Sequence, residues 1–249
     1  LISPRDPPTD RSTGRRRSAP LGRTATAGWA AHPGPRRRAV PTPRPRDHPA
    51  QQRSSEDALS SLEIPEHLLT PQEVTAEDFA PFGEVMSLDA TPRLPIDFYQ
   101  GKNRVHGPVK LDSDTPPEFL VFRVGLRGDT VKNLERHVEM TQTMIPLGGQ
   151  PYVAVVAPPD VPLVNGFPPL ETVRAFIIPG DVCINLHRGT WHEPPFPSID
   201  GQMFLITSHE RLTKGLQQRL DENGELDMYD VEKRNPVYRV GQRIRVKLP

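Results

Sequence analysis

Short apolar runs, broken at close intervals by glycine and proline, set the tightest limit on what this chain can fold into. They are Phe119–Val124, Thr143–Leu147, Tyr152–Ala157, Val173–Ile178, Val182–Leu186 and Met203–Thr207. Gly148-Gly149-Gln150-Pro151 and Pro179-Gly180-Asp181 separate neighbouring runs and read as turns. Strands at this spacing predict an all-β sandwich or barrel. Regular strand–helix–strand alternation is absent, which argues against a doubly wound parallel sheet. Two helices are expected beside the strands. The first runs Thr75–Ala80, with Thr75 as N-cap, Asp78 three residues on, Phe79, Phe82 and Val85 buried and Gly83 as the stop. The second runs Arg211–Leu220, with Leu212, Leu216 and Leu220 on one face and Asn223-Gly224 as its end.

Charge divides the chain. Its 31 Lys+Arg balance 31 Asp+Glu, but the first 50 residues hold 11 Arg and 10 of the 31 prolines with 3 Asp and no Glu. Residues 1–63 are therefore expected to form a disordered Arg/Pro-rich tail, and 64–249 a single domain that is net acidic. Ten prolines also disfavour the amphipathic helix of a transit peptide. An acidic domain is a poor partner for nucleic acid. No run of 18 apolar residues exists, so no membrane span is expected. A single cysteine, Cys183, excludes an internal disulfide framework and a Cys-rich zinc site, and fits a reducing, cytoplasmic compartment.

Two polar clusters interrupt the apolar strands. The first holds Glu135, Arg136, His137, Gln142 and Gly149; the second holds Gly180, His187, Gly189 and His192. Residues two apart on a strand share a face, so Glu135 and His137 point together and Arg136 points away. Gln142 can return to that face across a hairpin, and His192 can join it from another strand. Taken singly, each histidine is more often a structural side chain. Together, Glu135, His137, Gln142 and His192 make a donor set suited to a divalent metal such as Ni, Mn, Zn or Fe.

This spacing resembles the cupin metal motifs, with Glu135 where the first motif has a His, Gln142 where it has a Glu, and His187 where the second has a Pro. The runs Glu135-Arg-His137…Gln142-Thr-Met-Ile-Pro-Leu147, Val173-Arg-Ala-Phe176 and Asn185-Leu-His187-Arg-Gly-Thr-Trp-His192 are similar to the ureidoglycolate lyase family within that superfamily. So are Phe79-Ala-Pro-Phe-Gly83 and Asn103-Arg104-Val-His106 followed by Arg123. Two positions depart from the family pattern: Val138-Glu139 replaces a Pro after the Glu-Arg-His, and Glu193 replaces a second His after His192.

The resemblance implies a cupin-like double-stranded β-barrel, or jelly roll, with a few peripheral helices. It implies a homodimer that cleaves ureidoglycolate, a small anionic hydroxy acid, to glyoxylate and urea. That chemistry needs a base for the carbinol proton, an acid for the departing nitrogen and a cation for the carboxylate. Glu135, His137, Gln142 and His192 are the candidate metal ligands. His187, His192 and Glu193 are the candidate catalytic groups, and Arg104, His106 and Arg123 would bind the substrate. Arg123, set in an apolar run, is expected to be buried against the substrate's carboxylate. Three alternatives stay open: a cupin-fold lyase, hydrolase or isomerase for another small acid, an Fe(II) oxygenase, and a metabolite-binding cupin without catalysis.

Overall fold

The computed structural model describes residues 63–249. The expected tail at 1–63 falls, Glu63 apart, outside the described residues. Chain order begins β1 (Glu66–Leu69), β2 (Gln72–Glu73), α1 (Ala76–Phe79), β3 (Gly83–Met86), β4 (Arg93–Phe98), β5 (Asn103–His106) and β6 (Pro117–Val124). It continues with β7 (Thr130–Val131), β8 (Leu134–His137), β9 (Gln142–Leu147), β10 (Tyr152–Ala157), β11 (Arg174–Ile178), β12 (Cys183–Leu186) and β13 (Trp191–His192). The last part holds β14 (Phe196–Pro197), β15 (Gln202–His209), α2 (Glu210–Leu216), β16 (Leu226–Met228), β17 (Val231–Arg234), α3 (Pro236–Val240) and β18 (Arg243–Val246).

The fold is mainly β, in several largely antiparallel sheets, none of which closes on itself. The large sheet runs β16-β17-β8-β13-β10-β11-β2, with β14 also on β10. The five-stranded sheet runs β3-β12-β9-β15-β6, and a small sheet runs β1-β18-β7. Strand β10 explains how they stack. Tyr152, Ala154 and Val156 pack with Phe204, Ile206, Met144 and Ile184 of the five-stranded sheet. Val153, Val155 and Ala157 pack the other way, with Val131, Ile244 and Val246 of the small sheet. A strand buried on both faces reads as an unbroken apolar run, which is what Tyr152–Ala157 is.

The first helix forms as expected, with Thr75 Oγ1 accepting the Asp78 amide at 3.0 Å and Phe79 buried. The second is shorter than the leucine spacing predicts. It stops at Leu216, and Leu216 and Leu220 are largely exposed while Leu212 is buried. Gly215 lies so close to β17 that a Cβ would sit 2.5 Å from Val231, and the Gln218 amide turns back onto the Gly215 carbonyl at 3.0 Å. The close approach seats this helix of about two turns on β17. No helix among the described residues is long and apolar enough to cross a membrane.

Candidate active site

Strand register assembles the site. Glu135 on β8 lies opposite His192 on β13, and on its other side opposite Lys233 on β17. Directly opposed residues of antiparallel strands share a face, so Lys233, Glu135 and His192 form one row across three neighbouring strands. His137 is two residues further along β8, on that same face, and Arg136 points away to pair with Glu232 at 2.5 Å. The motif glycines hold the two motifs together. The Gly189 amide, in a turn with φ +78°, donates to the His137 carbonyl at 2.6 Å. A Cβ on Gly180 would stand 2.1 Å from Gly149.

A cavity of about 300 Å³ opens onto this row. Glu135, His192 and Lys233 line it with Gln142, facing them from the five-stranded sheet, and Leu120, Phe122, Met144 and Ile206 form apolar wall. The Lys233 ammonium pairs with Glu135 Oε2. Glu135 Oε1 lies 3.6 Å from His192 Nε2 and 4.0 Å from His137 Nε2. Burial pushes the Glu135 carboxyl up, but Lys233 and then the two histidines outweigh it and hold it at about 2. Burial and the nearby His192 hold His137 at about 3, against the pull of Glu135. Burial lowers His192 as well. At neutral pH the site is thus a carboxylate beside two uncharged imidazoles.

The Lys233 ammonium stands at Glu135 Oε2, and nothing positive stands between Oε1 and the two imidazoles among the described residues. His192 Nδ1 lies 3.0 Å from the Thr190 carbonyl and must donate to it, which leaves Nε2 a bare lone pair facing the Glu135 oxygen. Both ring nitrogens of His137 are buried with no hydrogen-bond partner among the described residues. Lone pairs turned toward a carboxylate repel one another unless a cation lies between them. Glu135, His137 and His192 therefore fit a metal ion, and their ligand atoms all lie within 4.8 Å of one another. His137 Nδ1 faces Asp230 Oδ2 at 4.0 Å, beyond hydrogen-bond reach, so a modest shift of the ring would bring it to the carboxylate that a ligating imidazole commonly uses.

Glu139, His209 and Asp230 form a second buried group that could hold a metal. Its hydrogen bonds argue for another role. His209 Nδ1 accepts the Arg211 amide at 3.2 Å, so its proton sits on Nε2 and is donated to Asp230 Oδ2 at 3.1 Å. A nitrogen that donates cannot also ligate. Asp230 Oδ1 accepts the Val138 and Glu139 amides at 2.7 and 2.6 Å. The group braces the end of β8 just beyond His137.

The remaining expected residues lie away from the cavity. Glu193 faces opposite to its neighbour His192: it pairs with Arg127 Nη1 at 2.5 Å and accepts the Asn133 amide at 3.2 Å. Burial pushes its carboxyl up to about 7, against the Arg127 guanidinium. His187 is exposed, and its Nε2 donates to the Ala80 carbonyl at 3.2 Å. Arg104 and His106 lie on the separate β4–β5 hairpin, with His106 Nδ1 on the Thr91 carbonyl at 2.7 Å. The expected burial of Arg123 is not observed. Alternation along β6 sends Leu120 and Phe122 inward and Arg123 outward, where its side chain is 69% exposed and 3.8 Å from Asp200. Lys233, in contrast, was not among the expected residues. Its only sequence signal is a four-residue stretch, Val-Glu-Lys-Arg, whose alternation puts Val231 and Lys233 on one face.

A family model described as "Ureidoglycolate lyase" matches residues 66–227. The chain is 40% identical over 155 residues to the ureidoglycolate lyase of Pseudomonas fluorescens (strain Pf0-1), which covers 59% of this chain and 86% of that protein. It is 34% identical over 145 residues to that of Pseudomonas syringae pv. tomato, covering 55% and 81%. Against that of Azotobacter vinelandii it is 29% identical over 144 residues, covering 56% and 83%.

Proposed function

The chain belongs to the ureidoglycolate lyase family and is a carbon–nitrogen lyase, and on that premise we propose how its cavity releases glyoxylate and urea from ureidoglycolate. The observation that carries the reading is the row Lys233–Glu135–His192 facing Gln142 across a cavity of about 300 Å³. That volume is at the small end of ligand sites and suits a short hydroxy acid.

Glu135, His137 and His192 would hold a divalent cation. When bound, it supplies Lewis-acid polarisation that lowers the carbinol hydroxyl's pKa. The chain's own groups have the other tasks. Glu135, the one carboxylate lining the cavity, stays ionised and accepts the hydrogen bond of the carbinol hydroxyl, orienting it as its proton passes to the departing urea nitrogen. Gln142 offers both an amide donor and an acceptor to the ureido group. Leu120, Phe122, Met144 and Ile206 keep water from the breaking bond. His187, Glu193, Arg104, His106 and Arg123 have no part in these steps, because none of them lines the cavity.

The finer architecture follows the same reading. The large and five-stranded sheets, packed through β10, correspond to the two halves of a cupin-like barrel, and 64–249 to its domain. A homodimer is supported by the outer face of β6, an edge strand on which Phe119 and Val121 are 64% and 71% exposed. The single free Cys183 goes with a cytoplasmic setting.

The test is product analysis. Purified chain incubated with ureidoglycolate should release urea and glyoxylate in equal amounts, lose that activity on chelation and regain it with added divalent metal. Ammonia in place of urea, or no product at any metal concentration, overturns the reading.

A further inference from the structure

We propose that Lys233 anchors the substrate's carboxylate, a role that rests on the ureidoglycolate reading and assigns to it a residue outside the family-matched stretch of 66–227. A carbinolamide acid needs a cation at its carboxylate. Lys233 is the one lysine or arginine among the residues lining the cavity. The arginines that motif resemblance offers lie elsewhere: Arg123 on the outer face of β6 and Arg104 on the β4–β5 hairpin.

Three features fit Lys233 to this task. Its register opposite Glu135 sets it at one end of the row, so a carboxylate bound there leaves the adjoining carbinol carbon beside Glu135 and His192. Its ammonium carries three donors, and among the described residues Glu135 is its one ionic partner. One ammonium can therefore hold Glu135 and a substrate carboxylate together. Its side chain is 19% exposed, so it is open to the cavity, yet it works against the apolar surface of Leu120, Met144 and Leu216, where charge pairing is stronger than in water. The ligand class that follows is a short 2-hydroxy or 2-oxo acid with a free carboxylate, and its neutral amide should be rejected.

Pairing with Glu135 alone is the competing role, and the two products separate the roles. Glyoxylate carries the carboxylate and urea does not. Calorimetry on the full chain should find that Lys233→Gln weakens glyoxylate binding roughly 10- to 100-fold, while urea binding read in the same way stays within about twofold and Lys233→Arg keeps most of the glyoxylate affinity. Glyoxylate affinity unchanged in Lys233→Gln, or glyoxylate and urea weakened alike, overturns the anchor. Should Lys233→Gln fail to fold, saturating glyoxylate must protect Lys233 of the unmutated chain from acetylation by acetic anhydride, read by peptide mass; undiminished labelling overturns it equally. Both binding readouts work without turnover. An unmutated chain that binds glyoxylate through Lys233 but does not cleave ureidoglycolate refutes the substrate assignment and leaves the anchor standing. An active chain whose glyoxylate affinity ignores Lys233 refutes the anchor alone.

Discussion

Replacing Glu193 by Gln isolates one buried carboxyl and should give it a measurable pH signature. Two forces oppose each other there. Burial pushes the carboxyl up from 4.5 and Arg127 pulls it down, and burial wins, leaving it at about 7. The folded state therefore binds this proton more tightly than the unfolded state does. The resulting stability is fully present below about pH 4.5 and is lost as pH rises through 7. The side chain is 3% exposed, so solvent screening takes little from this figure. Linkage between those two values gives a loss of about 2–3 kcal/mol between pH 5 and pH 8. Glutamine mimics the protonated form and carries no such dependence. Urea unfolding followed by circular dichroism, at several pH values across that range, should find the unmutated chain losing this amount relative to Glu193→Gln. Stability of the unmutated chain relative to Glu193→Gln that is flat, or that rises with pH, refutes the reasoning: the 2.5 Å ion pair with Arg127 would then have kept the carboxyl charged throughout. Activity supplies a second check. Glu193 faces away from the cavity, so Glu193→Gln should keep kcat within about threefold; a fall of about 100-fold in a folded variant would return this residue to the chemistry.

Gly180→Ala should destabilise by about 1–3 kcal/mol in urea, because its Cβ meets the Gly149 backbone at 2.1 Å, and a neutral result would mean the two turns are free to separate. Asp230→Asn sets an amide donor against the fixed Nε2–H of His209 and should cost about 1–3 kcal/mol, with metal affinity by chelator competition down roughly 10- to 100-fold; affinity unchanged would detach Asp230 from His137. In metal-free protein His137, held at about 3 against 6.5 when unfolded, contributes stability present above about pH 6.5 and lost as pH falls toward 3, at most about 1.4 kcal/mol per pH unit. Comparing urea midpoints with those of His137→Gln at pH 7, 6, 5 and 4 reads that slope, and parallel profiles would contradict it. His137→Ala should cost metal binding more than Asp230→Asn does, measured by titration with Co(II); equal binding by the two variants would remove His137 from the ligand set.

The strands were legible because their apolar runs are short and their turns carry glycine and proline. Glu135, His137 and His192 were legible because a period of two and two motif spacings bring them to one face. Lys233 was not, because its link to Glu135 is a pairing between β8 and β17 that no local pattern records. Arg123 misled for the opposite reason. Val121 and Phe119 lie on the outer face beside it and are exposed, so an apolar run did not imply two buried faces. Glu193 adjoins His192 in sequence, yet extended backbone turns neighbours to opposite sides. His187 sits within the motif but is turned toward the end of α1. The late helix failed where leucine spacing could not report that Gly215 presses against Val231.

Strand β17 has a consequence for when the molecule becomes competent. A ribosome releases residues in order, and Glu135, His137, Gln142 and His192 all emerge well before Asp230 and Lys233. Until β17 arrives, β8 has an unpaired edge, Glu135 lacks its ammonium and the carboxylate behind His137 is missing. A chain cut after residue 227 would keep the whole family-matched stretch and still lack these supports. Strand β17 therefore finishes the binding wall only after both motifs have been made, and a nick between α2 and β17 would strike the site without touching either motif.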